Sequence, residues 1–341
     1  MRNRDVTFDT VVFTRGQRIY MDREQSQSLS GVKSDASAPG ATQSLASGVR
    51  ERTFFQRRGR VFFASSANKI SLVILILFVI SAAFPVRWLP HDPTFVAPGQ
   101  RHIPPFWQAD GDVAYPLGTD HLGRDMFSRL IYSTRFTLAV MVLAVLIAIG
   151  AGVVAGLLSG FYGGILDSSI SRLVDIQLAF PLVLLAIAVL AMIGPGFINL
   201  VLILGLFDWA RYTRVVRSST LSVKAYDYIE AAQAVGASNF RILVRHVLPN
   251  VVSPILVLTT FALARVLLAE SALSFLGLGI APPRSTWGGM IGDGRNYLYE
   301  AWWSSAIPGL AISLTVLAIN FVGDGLRDAL DPQMETDETG G

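Results

Sequence analysis

Arg265 and Glu270 stand inside one long apolar run, and Asp208 stands near the end of another. An ionisable group in such a run is costly and usually faces a cavity, a watery path or a partner charge. Arg265 and Glu270 are five residues apart, about 140° round a helix, so they are not natural intrahelical partners. Both are candidate pathway-lining groups, and Glu270 is expected near a helix end, within reach of water. No catalytic constellation accompanies them. The chain has no cysteine, which excludes disulfides, thiolate metal sites and a cysteine nucleophile. His91, His102, His121 and His246 are scattered and have no metal-ligand spacing. There is no GxxxxGK[ST] loop, so the chain does not hold ATP in the usual way. The residues therefore predict no catalytic site, no metal and no cofactor, and any chemistry must come from partner chains.

The elements that position these charges are membrane spans. The chain has 341 residues, 52% hydrophobic and only 16% charged, with a mean hydropathy of +0.48. A soluble domain carries about 25% charged residues. The net charge of +3 reflects basic loops between apolar runs rather than a nucleic-acid surface. Spans are expected over about 70–89, 136–158, 176–193, 197–210, 251–277 and 305–322. The fold class predicted is all-α and polytopic, with six transmembrane helices. Ser81-Ala82-Ala83 resembles a signal cleavage site, but the polar region before it is far too long for a signal peptide. Gly150, Gly152 and Gly156 are small residues that let helices approach in lipid. Pro181 is expected to kink the third span, after a short turn at 159–172. Residues 1–55 are read as a disordered tail. Residues 56–135 hold the first span and an external loop, 136–330 the core with a basic loop at 211–250, and 331–341 a short tail.

Arg57, Arg58, Arg60 and Lys69 before the first span, and the basic loop carrying Arg211, Arg214, Arg217, Lys224, Arg241 and Arg245, place both termini in the cytoplasm. Arg124, Arg129 and Arg135 run against that count, because they fall on the side taken as external.

Two segments stand out. Within the basic loop, Asp227 is positioned as an N-cap, with Glu230 completing a capping box. Ala231, Ala232 and Ala234 favour helix, and Gly236 ends it. Ser238 caps a second short helix, expected to stop at Pro249. A short, rigid helix with a small-residue face suits insertion into a partner's groove. A surface helix with no partner is the equal alternative. In the external segment, Gly118, Thr119, Asp120, Gly123, Arg124 and Asp125 describe a turn-rich, charge-paired loop. Sealing the outer mouth and contacting a substrate both fit it.

The stretch Glu230-Ala231-Ala232…Gly236…Leu248-Pro249 resembles the EAA loop of binding-protein-dependent ABC importer permeases. His246 departs from the isoleucine usual there but is similar to the peptide-importer branch. The external string from Leu117 to Asp125, together with Asn320…Gly323-Asp324-Gly325-Leu326-Arg327-Asp328…Leu330-Asp331-Pro332, resembles the DppC/OppC-type subunit. The resemblance covers about residues 60–333 and implies a MetI-like permease core in a bacterial inner membrane. It implies that Tyr226, Asp227, Glu230, Ala231, Ala232, Gly236 and Ala237 form a coupling helix seated in an ATPase subunit. The partners implied are a DppB/OppB-like second permease, two ABC ATPases holding ATP and magnesium, and an extracytoplasmic peptide-binding protein. Di- and oligopeptides are the substrates implied, with nickel complexes or glutathione as alternatives. A self-contained secondary transporter is the remaining alternative, against which no inverted repeat of broken helices is visible.

Overall fold

The computed structural model describes residues 10–14, 17–21, 62–63 and 65–330. The chain divides into a unit over 1–56 and a unit over 57–341. In the first, strands β1 (Thr10–Thr14) and β2 (Gln17–Met21) pair antiparallel, from Thr10 opposite Met21 to Thr14 opposite Gln17. This hairpin departs from the expected disordered tail. The rest of that expectation, at 1–9, 15–16 and 22–55, lies outside the described residues, as does the tail at 331–341.

The second unit is helical: α1 (Ser66–Ala83), α2 (Met126–Tyr162), α3 (Gly164–Leu178), α4 (Leu182–Ile193), α5 (Phe197–Lys224), α6 (Asp227–Ala234), α7 (Asn239–Ile242), α8 (Leu248–Phe275), α9 (Trp287–Gly294) and α10 (Trp303–Leu330). A π-helical turn, Leu243–Val247, joins α7 to α8. Among the described residues, four helical stretches are long and apolar enough to cross a membrane: α1, α2, the run 239–275 and α10. The bent pair α3–α4 is a fifth if it counts as one span. With 28 residues, α5 is about 42 Å long, longer than a bilayer core of about 30 Å. Asp208, Arg211 and Arg214 are what keep it from reading as apolar. Lipid-facing backbone has no water to bond, so helices are the element this composition selects.

Several boundaries differ from the sequence expectation. The third span is not a kinked helix but two helices meeting at 86°. Pro181 occupies the N-cap of α4 in an extended conformation, as a residue without an N–H can at a helix start. The expected turn at 159–172 is largely the helix α3. α2 begins ten residues before its apolar run because Asp125 caps it, its carboxylate accepting from Phe127 N at 3.2 Å and Ser128 N at 3.1 Å. α5 continues through the first half of the basic loop. There Arg214 pairs with Asp175 of α3 at 2.7 Å, and Arg217 with Asp167 at 2.7 Å. Pro249 stops no helix; it lies in the first turn of α8, where its missing N–H costs little.

The core is organised on the seam between α2 and α5. A Cβ on Gly152 would lie 2.4 Å from Tyr212 Cβ, on Gly156 2.7 Å from Val216 Cβ, and on Gly160 2.8 Å from Thr220 Cβ. The three glycines are four apart and face three α5 residues four apart, so the backbones meet along one line. Gly150, also expected to serve packing, has nothing within 4 Å of its Cβ position. At the far end Lys224 Nζ donates to Phe161 O at 2.7 Å, fastening the C-terminus of α5 to that of α2. α8 packs on α5, with Tyr212 Oη bonded to Thr259 Oγ1 at 3.2 Å. α10 packs against both α8 and α1.

Gly156→Leu should cost about 1–3 kcal/mol or more by overpacking this seam. Gly150→Ala should be neutral or gain up to about 1 kcal/mol. Unfolding of the detergent-solubilised chain, followed by tryptophan fluorescence, distinguishes the two. Equal stability for both variants would mean that the seam does not hold the core.

Candidate functional site

The segment from Gly118 to Asp125 folds into a buried charge knot. Asp120 Oδ1 accepts from Leu122 N at 2.8 Å and Arg124 N at 2.9 Å, turning the chain on itself. Its Oδ2 accepts from Arg124 Nε at 2.7 Å and from Arg129 Nη1. The outer nitrogens of both guanidinium groups reach Asp293 of α9, at 3.3 Å and 3.0 Å. Asp120, Arg124, Asp125 and Arg129 are all buried. Burial pushes the Asp120 carboxyl up, but Arg129, Arg124 and two backbone N–H groups outweigh it, and its pKa lies below the ordinary carboxylate value. Gly123 has φ +77, and a Cβ there would strike Ala97 O at 1.9 Å, so this turn admits only glycine. Gly118 has a positive φ as well, Thr119 O accepts from Trp303 Nε1 at 3.0 Å, and Thr119 Oγ1 donates to Gln100 O at 2.6 Å. The polar groups of this loop are thus largely spent on one another.

Arg124 and Arg129 are two of the three cations that run against the positive-inside count. Each is matched by carboxylates and leaves little free charge. Asp293 was missed by sequence reasoning. It lies 169 residues from Arg124, and the one available signal was the excess of cations needing carboxylates.

Among the membrane charges, Arg265 does not pair with Glu270. Its Nη2 reaches Asp208 Oδ2 on α5 at 3.2 Å, and Arg211 Nε meets the same carboxylate at 3.4 Å. Asp208 is buried, while the Arg265 side chain is 32% exposed. A cavity of about 260 Å³ opens here, lined by Gln177, Phe180, Pro181, Phe207, Asp208 and Arg211, at the break between α3 and α4. Gln177 Nε2 donates to Phe207 O at 2.6 Å, tying that break to α5. Glu270 is 1% exposed and accepts from Ser274 Oγ at 2.6 Å. The expectation that water reaches it is not met, because α9 covers it: a Cβ on Gly288 would lie 2.4 Å from Ser271 Cα.

The basic loop presents α6. Its N-cap is Tyr226, not Asp227, and no side chain caps it. The expected capping box is replaced by two carboxylates, Asp227 and Glu230, in the first turn, where they favour the helix dipole. Gly236, at φ +81, closes a Schellman turn: Ala237 N donates to Ala232 O at 3.0 Å and Gly236 N to Gln233 O at 2.9 Å. Ser238 stands at the N-cap of α7, but its side chain makes no cap hydrogen bond. Ile229 is buried and anchors α6, and Ala232 and Ala237 pack on the core. Tyr226, Asp227, Glu230, Ala231 and Gly236 are exposed. Val235 at 85% and Phe240 at 75% exposure flank them. The motif residues thus form one projecting surface, small and apolar with two carboxylates, held from below by Ile229 with Ala232 and Ala237 beside it.

Residues 152–336 match the family model described as "Binding-protein-dependent transport system inner membrane component". The chain is 38% identical to the di/tripeptide transport system permease protein DppC of Pseudomonas aeruginosa, over 87% of this chain and 97% of that protein. It is 44% identical to the glutathione transport system permease protein GsiD of Pectobacterium atrosepticum, over 65% of this chain and 74% of the relative. It is 36% identical to the nickel transport system permease protein NikC of Escherichia coli, over 81% and 98%. Among solved structures, the MetNI methionine ABC transporter in inward-facing conformations aligns with a TM-score of 0.50 at 20% identity, over 60% of this chain and 98% of that one.

Asp120→Asn should destabilise the chain by about 3–5 kcal/mol, because it leaves two buried guanidinium groups short of a charge. The folded-state pKa of Asp120 is depressed, so its contribution is complete above the unfolded value of about 3.9 and is lost as pH falls towards the folded one. Unfolding midpoints measured from pH 6 downward should fall through that window in the parent chain and less steeply in the variant. Parallel pH profiles would remove Asp120 from this role.

Proposed function

We propose that this chain, which belongs to the binding-protein-dependent transport system inner membrane component family of ABC importer permeases, forms half of the translocation pathway for di- and oligopeptides. The observation that carries the coupling role is α6, a capped, exposed helix with a small-residue face on a single buried anchor. Such a handle fits a groove on an ATPase. Nucleotide binding closes two such ATPases, and their grooves draw α6 and its counterpart together. The free energy comes from the differential affinity of nucleotide for the two states.

The partners proposed are a DppB/OppB-like permease, two ATPases holding ATP and magnesium, and an extracytoplasmic peptide-binding protein. The proposed site is the bacterial inner membrane, with both termini cytoplasmic. Along the pathway, Arg265 is partly exposed and held by Asp208. It suits the carboxylate end of a peptide, whereas buried Glu270 sets the packing of α8 under α9. The same machinery carrying glutathione or a nickel complex is the second reading, favoured by the similarity to permeases named for those solutes.

Purification of the tagged chain from mild detergent should bring down a second permease and one or two Walker-type ATPases, identified by mass spectrometry. A chain recovered alone and monodisperse would count against the assembly. Gly236→Asp should insert normally and retain its partners, yet lose most peptide uptake while ATP hydrolysis continues, since φ +81 is strained for any residue with a side chain. Normal uptake by this variant would refute the coupling role of α6.

A further inference from the structure

An apolar groove of about 520 Å³ lies between α1, α2 and α10. Leu77, Phe84, Trp88, Leu130, Trp287 and Leu314 are among its walls. On α2 the lining residues Phe127, Leu130, Ile131 and Thr134 share one helical face, and Arg135 stands beside that face. Along α1 the groove runs from Ile74 to Phe84, about 15 Å at helical rise, which is half of a hydrocarbon core of about 30 Å. It is therefore one leaflet deep.

Two arginines contact its wall residues. Arg135 Nη2 donates to Phe84 O at 2.8 Å, and its guanidinium carbon lies 4.9 Å from the Tyr132 ring centroid. Arg135 Nε is buried without a hydrogen-bond partner among the described residues. Arg87 is exposed and sits 5.8 Å from the ring centroid of Trp88, itself a wall residue. Neither arginine pairs with a carboxylate among the described residues. Arg124 and Arg129, a few positions earlier, are both paired. Arg135 is thus the one cation of that trio left uncompensated, and it stands where the polar start of α2 gives way to its apolar run.

We propose that this groove binds one acyl chain of an anionic phospholipid, with the phosphate met by Arg135 and Arg87. Guanidinium groups recognise phosphate through paired N–H donors. Trp88 is placed as interfacial aromatic residues are, with its ring at headgroup level. The groove walls are apolar, which selects a lipid tail over free phosphate. Two uncompensated cations select an anionic headgroup over a zwitterionic one.

The test uses the purified complex, delipidated in mild detergent and titrated with phosphatidylglycerol or phosphatidylcholine of the same chains, with bound lipid counted by native mass spectrometry. Phosphatidylglycerol should bind about tenfold more tightly, and Arg135→Gln should remove most of that preference. Ile80→Trp, at an exposed wall position, should fill the groove and lower binding of both lipids while the complex stays assembled. This second variant keeps the test decisive if the first fails to fold. A photo-reactive residue in place of Leu77 should crosslink to lipid. Equal affinity for the two lipids in the parent complex, or crosslinks from position 77 to another protein chain, would overturn the proposal.

Discussion

The close approach of α2 and α5 is the contact on which the rest of the second unit depends. In lipid there is no hydrophobic force between helices, so they are held by fit and by polar bonds. Gly152, Gly156 and Gly160 let the α5 backbone lie against α2 from Tyr212 to Thr220. Tyr212 and Asp208, on that same helix, then meet Thr259 and Arg265 of α8. At 37 residues, α2 is about 55 Å long and exceeds the hydrocarbon core. It reaches from the Asp120 knot at one end to the Lys224–Phe161 contact at the other. One packed pair therefore joins the Asp120 knot to the base of α6.

Charge is handled in three ways along this frame. Asp120, Arg124, Arg129 and Asp293 are closed on one another and fix α9 over the start of α2. Asp208 is buried and holds two arginines, the partly exposed Arg265 and Arg211, and it lines a cavity together with Arg211. Arg135 has no carboxylate partner among the described residues and leans on a carbonyl and a ring at the membrane boundary. Removing one partner of a buried pair leaves an uncompensated charge. The knot is therefore structural, while the cavity pair and the boundary arginine are free to meet something outside the chain.

The sequence made some of this plain and concealed the rest for physical reasons. Long apolar runs gave the spans, and the alanines followed by Gly236 gave α6 and its end, because these are local propensities. The extension of α5 through Arg211–Lys224 was hidden. Charged residues in a basic segment read as loop, yet Arg214 and Arg217 are good helix formers whose partners, Asp175 and Asp167, lie on another helix. The 86° break at Pro181 was read as a kink, since nothing local says how far a chain turns after a proline. Glu270 looked like a pathway residue because its cover, α9, arrives from beyond a loop. Asp293 and the Arg265–Asp208 pair are long-range pairings, which spacing along the chain does not encode.

The same frame bears on how motion would reach the membrane from α6. An isolated helix of eight residues is marginal in water, so α6 holds its shape through its Schellman closure, the buried Ile229 and the packing of Ala232 and Ala237. It is attached on two sides that differ in stiffness. Toward its N-terminus it follows α5, which is packed on α2 through the glycine seam and fastened by Lys224. Toward its C-terminus it leads into α7 and the π-helical turn Leu243–Val247 before α8. A π turn widens the helix and leaves its ladder irregular, and such turns frequently mark functional sites. On the proposed coupling role, a pull on α6 moves α5 and α2 as one body. The π turn absorbs the difference, so that α8, and Arg265 with it, shifts against Asp208. The Arg265–Asp208 salt bridge crosses from one body to the other, which makes it a contact that the stroke loads directly.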